Sequence, residues 1–283
     1  MKKSKIKIIL KVSFIVVFCF LFTSFLRVKP LGALPSISAP AAIAIDAKTG
    51  EVLYQKNAFQ LRAPASTTKI LTAILAIESG HLEDVVTVSE TAASVGEASL
   101  HLKANDQLLL KELVFGALIK SGNDACVAIA EFLSPSEAEF VGLMNLKARL
   151  LGAYDTTFYN TNGLPHPYHL TTAYDLALIT RYALQNPIFR DIVATKSHKV
   201  KWITPYKSLL IKNTNRLLWS FPEITGVKTG TTIQAGKCLV ASAQYGSQQI
   251  IAVVLNSFDR YGDAQKLLEY GIKTKEIQSY AKW

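Results

Sequence analysis

Ser66 and Lys69 stand three residues apart, directly after Pro64-Ala65 and at the head of a strongly apolar stretch. Residues at i and i+3 share a helix face, so the amine can reach the hydroxyl. A serine hydroxyl is a weak nucleophile without a neighbouring base, and a free lysine, with a pKa of about 10.4, is a poor base at neutral pH. Burial and a second cation both depress a lysine pKa, and Lys228, in the run Lys228-Thr229-Gly230, is a candidate for that cation. This run falls at the end of a strand pattern, where a sheet edge can pair with an extended peptide. Lys228 and Thr229 then suit a substrate's free carboxylate, and Gly230 lets two backbones approach closely. A third run, Ser121-Gly122-Asn123, separates two helical patterns and offers a hydroxyl for proton relay and an amide to hold a peptide group. The chemistry they describe together is acyl transfer through Ser66, with N–H groups at the helix start near the developing oxyanion.

Each run also has an ordinary structural job. Serine is a common helix N-cap, and Lys69 could snorkel its stem along an apolar surface, although its helix is too apolar to make that comfortable. Ser121-Gly122-Asn123 could merely stop one helix and start another, and Lys228-Thr229-Gly230 could be a plain strand exit. Three such runs in this order, each in a suitable local context, make the structural reading improbable as a set. Other chemistries find less support. The five histidines form no H-E-x-x-H pattern and no G-x-S-x-G elbow is present, so neither a zinc hydrolase nor a Ser-His-Asp hydrolase is expected. His166 and His169 flank Pro167-Tyr168 and read as a packed or solvated loop rather than a metal pair. No metal or cofactor is expected.

The elements that must position these residues can be read coarsely. Ala41–Asp46 and Glu51–Lys56 are short strands around a turn ending at Gly50. Ser66–Ser79 carries Ile70, Leu71, Ile74, Leu75 and Ile77, apolar nearly all round, and predicts a buried central helix closed by Gly80. Leu108–Lys120 and Asp124–Leu133 predict helices on either side of Ser121-Gly122-Asn123, and Pro135–Leu151 and Ala173–Gln185 predict two more. The period then changes to strands over Ile224–Lys228, Lys237–Tyr245 and Gln249–Ser257, with a final helix over Asp263–Tyr270. The expected fold is of the α+β class, an antiparallel sheet built from both chain ends with helices packed on it.

The chain has 283 residues, 31 basic and 21 acidic, for a formal charge of +10. Seven of the basic residues lie within 1–33, which holds no acid, leaving 24 against 21 beyond it. That near-neutral remainder has no electrostatic footprint for nucleic acid. Five lysines precede an uncharged run from Val12 to Leu26, the pattern of a signal peptide or an N-terminal membrane anchor. Residues 1–34 are therefore read as leader and linker, residues 35–283 as an exported catalytic domain, and the cytoplasmic membrane as a partner through the N-terminal segment. Cys126 and Cys238 lie in apolar surroundings and read as small buried side chains, with a disulfide between them left open.

The run Arg62-Ala63-Pro64-Ala65-Ser66-Thr67-Thr68-Lys69-Ile70-Leu71-Thr72 resembles the active-site signature of the low-molecular-mass penicillin-binding proteins, the D-alanyl-D-alanine carboxypeptidases. Lys120-Ser121-Gly122-Asn123-Asp124-Ala125 and Gly226-Val227-Lys228-Thr229-Gly230-Thr231-Thr232 are similar to that family's second and third motifs, and Asn162-Gly163-Leu164 and His169–Asp175 to the stretch between them. The resemblance implies a β-lactamase/transpeptidase-like fold with a helical subdomain. It implies Ser66 as nucleophile, Lys69 as base, Ser121 and Asn123 as the proton and amide network, and Lys228 and Thr229 as carboxylate binders, with Gly230 between strand and substrate. The oxyanion hole would be the backbone N–H groups of Ser66 and Thr231. The implied substrates are peptidoglycan stem peptides, met outside the cytoplasm, and β-lactam antibiotics would be covalent inhibitors. Many relatives continue into a β-rich domain and a C-terminal anchor helix, whereas this sequence ends at Trp283, so the N-terminal segment is the expected tether. A β-lactamase of the related scaffold needs a glutamate after the second motif, and none occurs between Leu151 and Pro222. An inactive wall-binding homologue is disfavoured by the intact motifs. Transpeptidase or endopeptidase action by the same acyl-enzyme stays open.

Overall fold

The computed structural model describes residues 33–280, and the leader therefore lies outside the described residues. The chain runs through β1 (Ala41–Asp46), β2 (Val52–Lys56), a 3₁₀ turn at Ala65–Thr68, α1 (Lys69–Glu78), β3 (Val85–Thr87), α2 (Glu90–Ser94) and β4 (Gln107–Leu109). There follow α3 (Leu110–Phe115), a wider π-type turn at Gly116–Lys120, α4 (Asn123–Leu133), α5 (Glu137–Leu150), α6 (Ala173–Ala183) and α7 (Pro187–Ala194). The last part holds β5 (Ser197–Thr204), β6 (Ser208–Lys212), α8 (Leu217–Ser220), β7 (Ile224–Thr232), β8 (Gly236–Tyr245), β9 (Gln248–Ser257) and α9 (Arg260–Tyr280). Among the described residues no helix is long and apolar enough to cross a membrane. Pro35–Lys273 make one compact unit.

The main sheet is antiparallel with strand order β2-β1-β9-β8-β7, so strands from both ends of the chain do meet in it. β1 lies along β9 with Ala41 opposite Leu255 and Asp46 opposite Ile250. β8 and β9 are buried over six consecutive residues each, the mark of strands covered on both faces. Ile43, Ile45, Val240, Ile251 and Val253 face the helical side, where α1 packs, and Ala42, Ala44, Leu239, Ala252 and Val254 face Ala264, Leu267 and Leu268 of α9. α1 itself buries Ile70, Leu71, Ile74 and Ile77. At about 1.5–3 kcal/mol for each large aliphatic side chain taken from water, that helix is fixed by its core face and cannot drift.

Among the described residues there is a second sheet, β3-β4-β5-β6, that the sequence reading does not contain. Its strands β3 and β4 are three residues long, too short for alternation to register. β5 does alternate, with Val200 and Trp202 buried between exposed Lys199, Lys201 and Ile203. The sequence reading also lacks α7, although its start carries a signal: Asn186 accepts from the backbone N–H groups of Ile188 and Phe189, with Pro187 at the helix start.

Among the described residues, Cys126 and Cys238 are both buried and unpaired.

Candidate active site

Ser66 sits on the 3₁₀ turn that leads into α1. The turn is held by its own threonines: Thr67 Oγ1 donates to the Pro64 carbonyl at 2.7 Å and Thr68 Oγ1 to the Ala65 carbonyl at 2.8 Å. Ala65, with φ of 49°, takes a left-handed conformation that costs a non-glycine residue about 1 kcal/mol or more. Two glycines leave room for this turn. A Cβ on Gly163, itself at φ of 88°, would meet the Ala65 carbonyl oxygen at 1.9 Å, and one on Gly230 would meet the Ser66 nitrogen at 2.9 Å. The β7 backbone therefore approaches the Ser66 N–H where only glycine permits it.

Lys69 is fully buried at the head of α1. Its Nζ lies 2.7 Å from Ser66 Oγ, 2.8 Å from Asn123 Oδ1 and 2.5 Å from the Asn162 carbonyl oxygen. As an ammonium it donates to all three. As an amine it keeps two donors for Asn123 and Asn162, and its lone pair faces the Ser66 hydroxyl. Burial pushes its pKa down to about 8, against the pull of Cys126, Asp124 and Glu97. Of the two causes the sequence suggested, burial and a second cation at Lys228, burial is the one that lowers it. Lys228 is itself driven well below the ordinary lysine range, first by burial and then by the Lys69 charge.

Ser121 follows the π-type turn at φ of 69°, where Gly122 N donates to the Gly116 carbonyl at 3.0 Å. The extra backbone in this turn swings Ser121 toward the third motif, and Lys228 Nζ donates to Ser121 Oγ at 2.9 Å. The three runs are thus joined pairwise, Lys69 to Asn123 and Ser121 to Lys228. Asn123 is oriented by its amide, which donates to the Gly96 carbonyl at 3.0 Å. Next to it, the buried Asp124 carboxylate accepts from Ser99 Oγ and from the N–H groups of Leu100 and Leu102, tying down the preceding loop.

A cleft of about 210 Å³ opens over Ser66, and Ser121, Asn123, Thr229, Gly230 and Thr231 also line it. Of the eight residues singled out in the sequence, Lys69 and Lys228 lie behind this lining. Lys228 spends its amine on Ser121 and on the Thr229 carbonyl, rather than presenting it to the cleft. β7 is the edge strand of its sheet, so its outer side is free to pair with an extended chain.

Sequence reasoning missed three groups and read a fourth, His169, only as part of a packed or solvated loop. Arg260 lines the cleft and donates to the Gly230 carbonyl at 2.9 Å and Thr231 Oγ1 at 2.7 Å. A cation at the start of a helix opposes the helix dipole, which was the available signal. Thr214 also lines the cleft, 2.6 Å from Thr229 Oγ1. The Asn162 carbonyl is a backbone atom and leaves no mark in side-chain pattern. His169 Nε2 meets Thr68 Oγ1 at 2.9 Å, and its Nδ1 accepts from Tyr159 N at 3.2 Å. Burial lowers its pKa to about 4, so it serves as a neutral brace with both ring nitrogens engaged. His166 stacks on Tyr159 instead.

This arrangement pairs a serine with a buried amine beside an edge strand. A family profile described as D-alanyl-D-alanine carboxypeptidase matches residues 29–259. The chain belongs to the D-alanyl-D-alanine carboxypeptidase family. The D-alanyl-D-alanine carboxypeptidase DacF of Bacillus subtilis is 40% identical over 246 residues, 84% of this chain and 63% of that one. DacC of Escherichia coli K12 is 38% identical over 273 residues, 90% of this chain and 67% of its own length. This chain thus spans about two thirds of those carboxypeptidases. A point mutant of the Streptomyces K15 DD-transpeptidase superposes with a TM-score of 0.82 at 32% identity, covering 85% of this chain and all of that one. The penicillin-binding fold expected from the motifs is the fold observed.

Proposed function

We propose that this D-alanyl-D-alanine carboxypeptidase family member is an active serine peptidase that removes the terminal D-alanine from peptidoglycan stem peptides. The observation that carries this reading is the 2.7 Å contact between a buried, readily deprotonated Lys69 and Ser66 Oγ. Neutral Lys69 takes the Ser66 proton as Oγ attacks the carbonyl of the penultimate residue. The N–H groups of Ser66 and Thr231 receive the oxyanion. Ser121, hydrogen-bonded to Lys228, gives its proton to the departing D-alanine nitrogen and is refilled by the proton Lys69 took. Lys69, neutral again, then deprotonates the water that attacks the ester, and that proton returns to Ser66 Oγ as the acyl group leaves. Asn123 grips the peptide on the acyl side. The substrate pairs with β7 along Thr229–Thr232, and the close approach of Gly230 to Ser66 leaves room for its backbone. Its carboxylate falls to Thr229, Thr231 and Arg260. β-Lactams would acylate the same serine. We place the reaction outside the cytoplasmic membrane, with residues 1–34 as export signal or anchor and 35–283 as the catalytic domain; the compact unit Pro35–Lys273 supports the first boundary and stops short of the second.

Incubation with a pentapeptide ending in D-Ala-D-Ala should release free D-alanine, and a fluorescent penicillin should add to Ser66 by mass spectrometry. D-Alanine release that persists in Ser66→Ala removes Ser66 from the mechanism. Amine capture of the acyl group is a second reading, favoured by the resemblance to a protein described as a DD-transpeptidase, of which this chain covers the whole length. Adding an amino-acid acceptor and measuring the ratio of transfer product to hydrolysis product distinguishes the two.

A further inference from the structure

Glu97 stands apart in the cleft. It is the one acid among the lining residues, the other charged ones being Lys120 and Arg260. Its carboxylate is exposed, and no hydrogen bond or ion pair joins it to another described residue. Its backbone is the reverse of free. The carbonyls on either side are both held by Asn123, Gly96 O by the side-chain amide at 3.0 Å and Ala98 O by the backbone N–H at 2.7 Å. Glu97 takes a φ of 64°, a conformation costing a residue with a Cβ about 1 kcal/mol or more. Asn123, which holds both carbonyls, also accepts from Lys69, so only one residue separates the Glu97 loop from the reaction centre.

An unpartnered carboxylate on a held backbone is a liability in a cleft that must admit a substrate carboxylate. It becomes an asset if the substrate brings a positive charge to that end. Arg260 and Thr231 hold the carboxylate side of Ser66, and Asn123 with its attached loop holds the acyl side. Resting on the carboxypeptidase reading above, we infer that Glu97 selects peptides whose residue before D-Ala-D-Ala carries a free side-chain amine. The occupant is thus a primary ammonium on a side chain long enough to reach from the peptide backbone to the loop at 96–98.

The test uses the full chain and Nα-acetyl-Lys-D-Ala-D-Ala with its ε-amine free, acetylated or succinylated, following D-alanine release. The free amine should be preferred over the acetyl form by about fivefold in kcat/KM at low ionic strength, shrinking as salt is added. Glu97→Gln should level that ratio, and Glu97→Lys should reverse it toward the succinyl substrate. A general structural loss would lower all substrates in proportion and leave the ratio standing, which would overturn the inference, as would a wild-type enzyme indifferent to acetylation. No D-alanine from any substrate would sink the carboxypeptidase reading itself. A diaminopimelate side chain offers the same amine beside a carboxylate. A further gain over lysine that Lys120→Met removes assigns the amino-carboxylate as occupant, and equal rates assign the simple amine.

Discussion

At Lys69 Nζ, three acceptors compete for the protons of one amine, and the number of protons decides which way the Ser66 bond points. With the pKa near 8, about one molecule in ten has the base form at pH 7. The acylation rate by penicillin should therefore rise about tenfold per pH unit below pH 8 and level off above it. A flat profile from pH 6 to 9 would mean that Lys69 is not the base. The two basic residues at the third motif should separate by readout. Arg260→Leu should weaken capture of peptides with a free C-terminal carboxylate by about tenfold or more, as expected for a lost charged hydrogen bond, and leave amidated peptides little changed. Lys228→Ala should slow both kinds alike, because its amine faces Ser121 and not the cleft.

The elements that hold these atoms are braced against one another by small polar contacts. The segment at 157–171 brings the Asn162 carbonyl to Lys69, and it is pinned to the nucleophile turn by His169 and to α5 by Glu137. The Glu137 carboxylate accepts from Thr161 N at 3.0 Å and Thr161 Oγ1 at 2.7 Å. His169 makes this brace pH-dependent. Its imidazole has a pKa of about 4 when folded and about 6.5 when free, so the folded state favours the neutral ring. The contribution is fully present above pH 6.5 and is lost as pH falls toward 4. It amounts to about 3 kcal/mol over that window. Urea unfolding of wild type against His169→Gln should show this slope in the wild type alone. Equal slopes would place the proton uptake elsewhere.

Over the whole molecule, the ends of the compact unit are joined at Asp263. Its carboxylate accepts from Ser38 N at 3.0 Å, Ser38 Oγ at 2.7 Å, Ala39 N at 2.8 Å and Ser257 Oγ at 2.7 Å. This ties the residues before β1 to the end of β9 and the start of α9. Burial works to raise the Asp263 pKa, but the bonds from Ser257, Ser38 and Ala39 outweigh it and hold the carboxyl below the ordinary range. Its stabilisation is therefore present above the free carboxylate pKa and fades in acid. Asp263→Ala should cost about 2–4 kcal/mol by leaving buried donors unpaired, lowering the unfolding midpoint without altering the Lys69 pH profile. An unchanged midpoint would show that β1 pairing alone closes the sheet.

The sequence alone determined the three motifs, their order, the central helix and the sheet drawn from both chain ends, because these rest on residue type and short-range periodicity. Ser66 and Lys69 were legible as a pair since a helix turn fixes their spacing. The reading lacked the β3-β4-β5-β6 sheet, whose short strands gain meaning only when paired. It assigned Lys228 a carboxylate, and the bond from that amine to Ser121 was visible only in the fold. Arg260, Thr214 and the Asn162 carbonyl lie far along the chain from Ser66, and a backbone oxygen has no letter in the sequence. Only tertiary structure decided these, because burial sets the Lys69 pKa and packing sets which distant groups face one cleft.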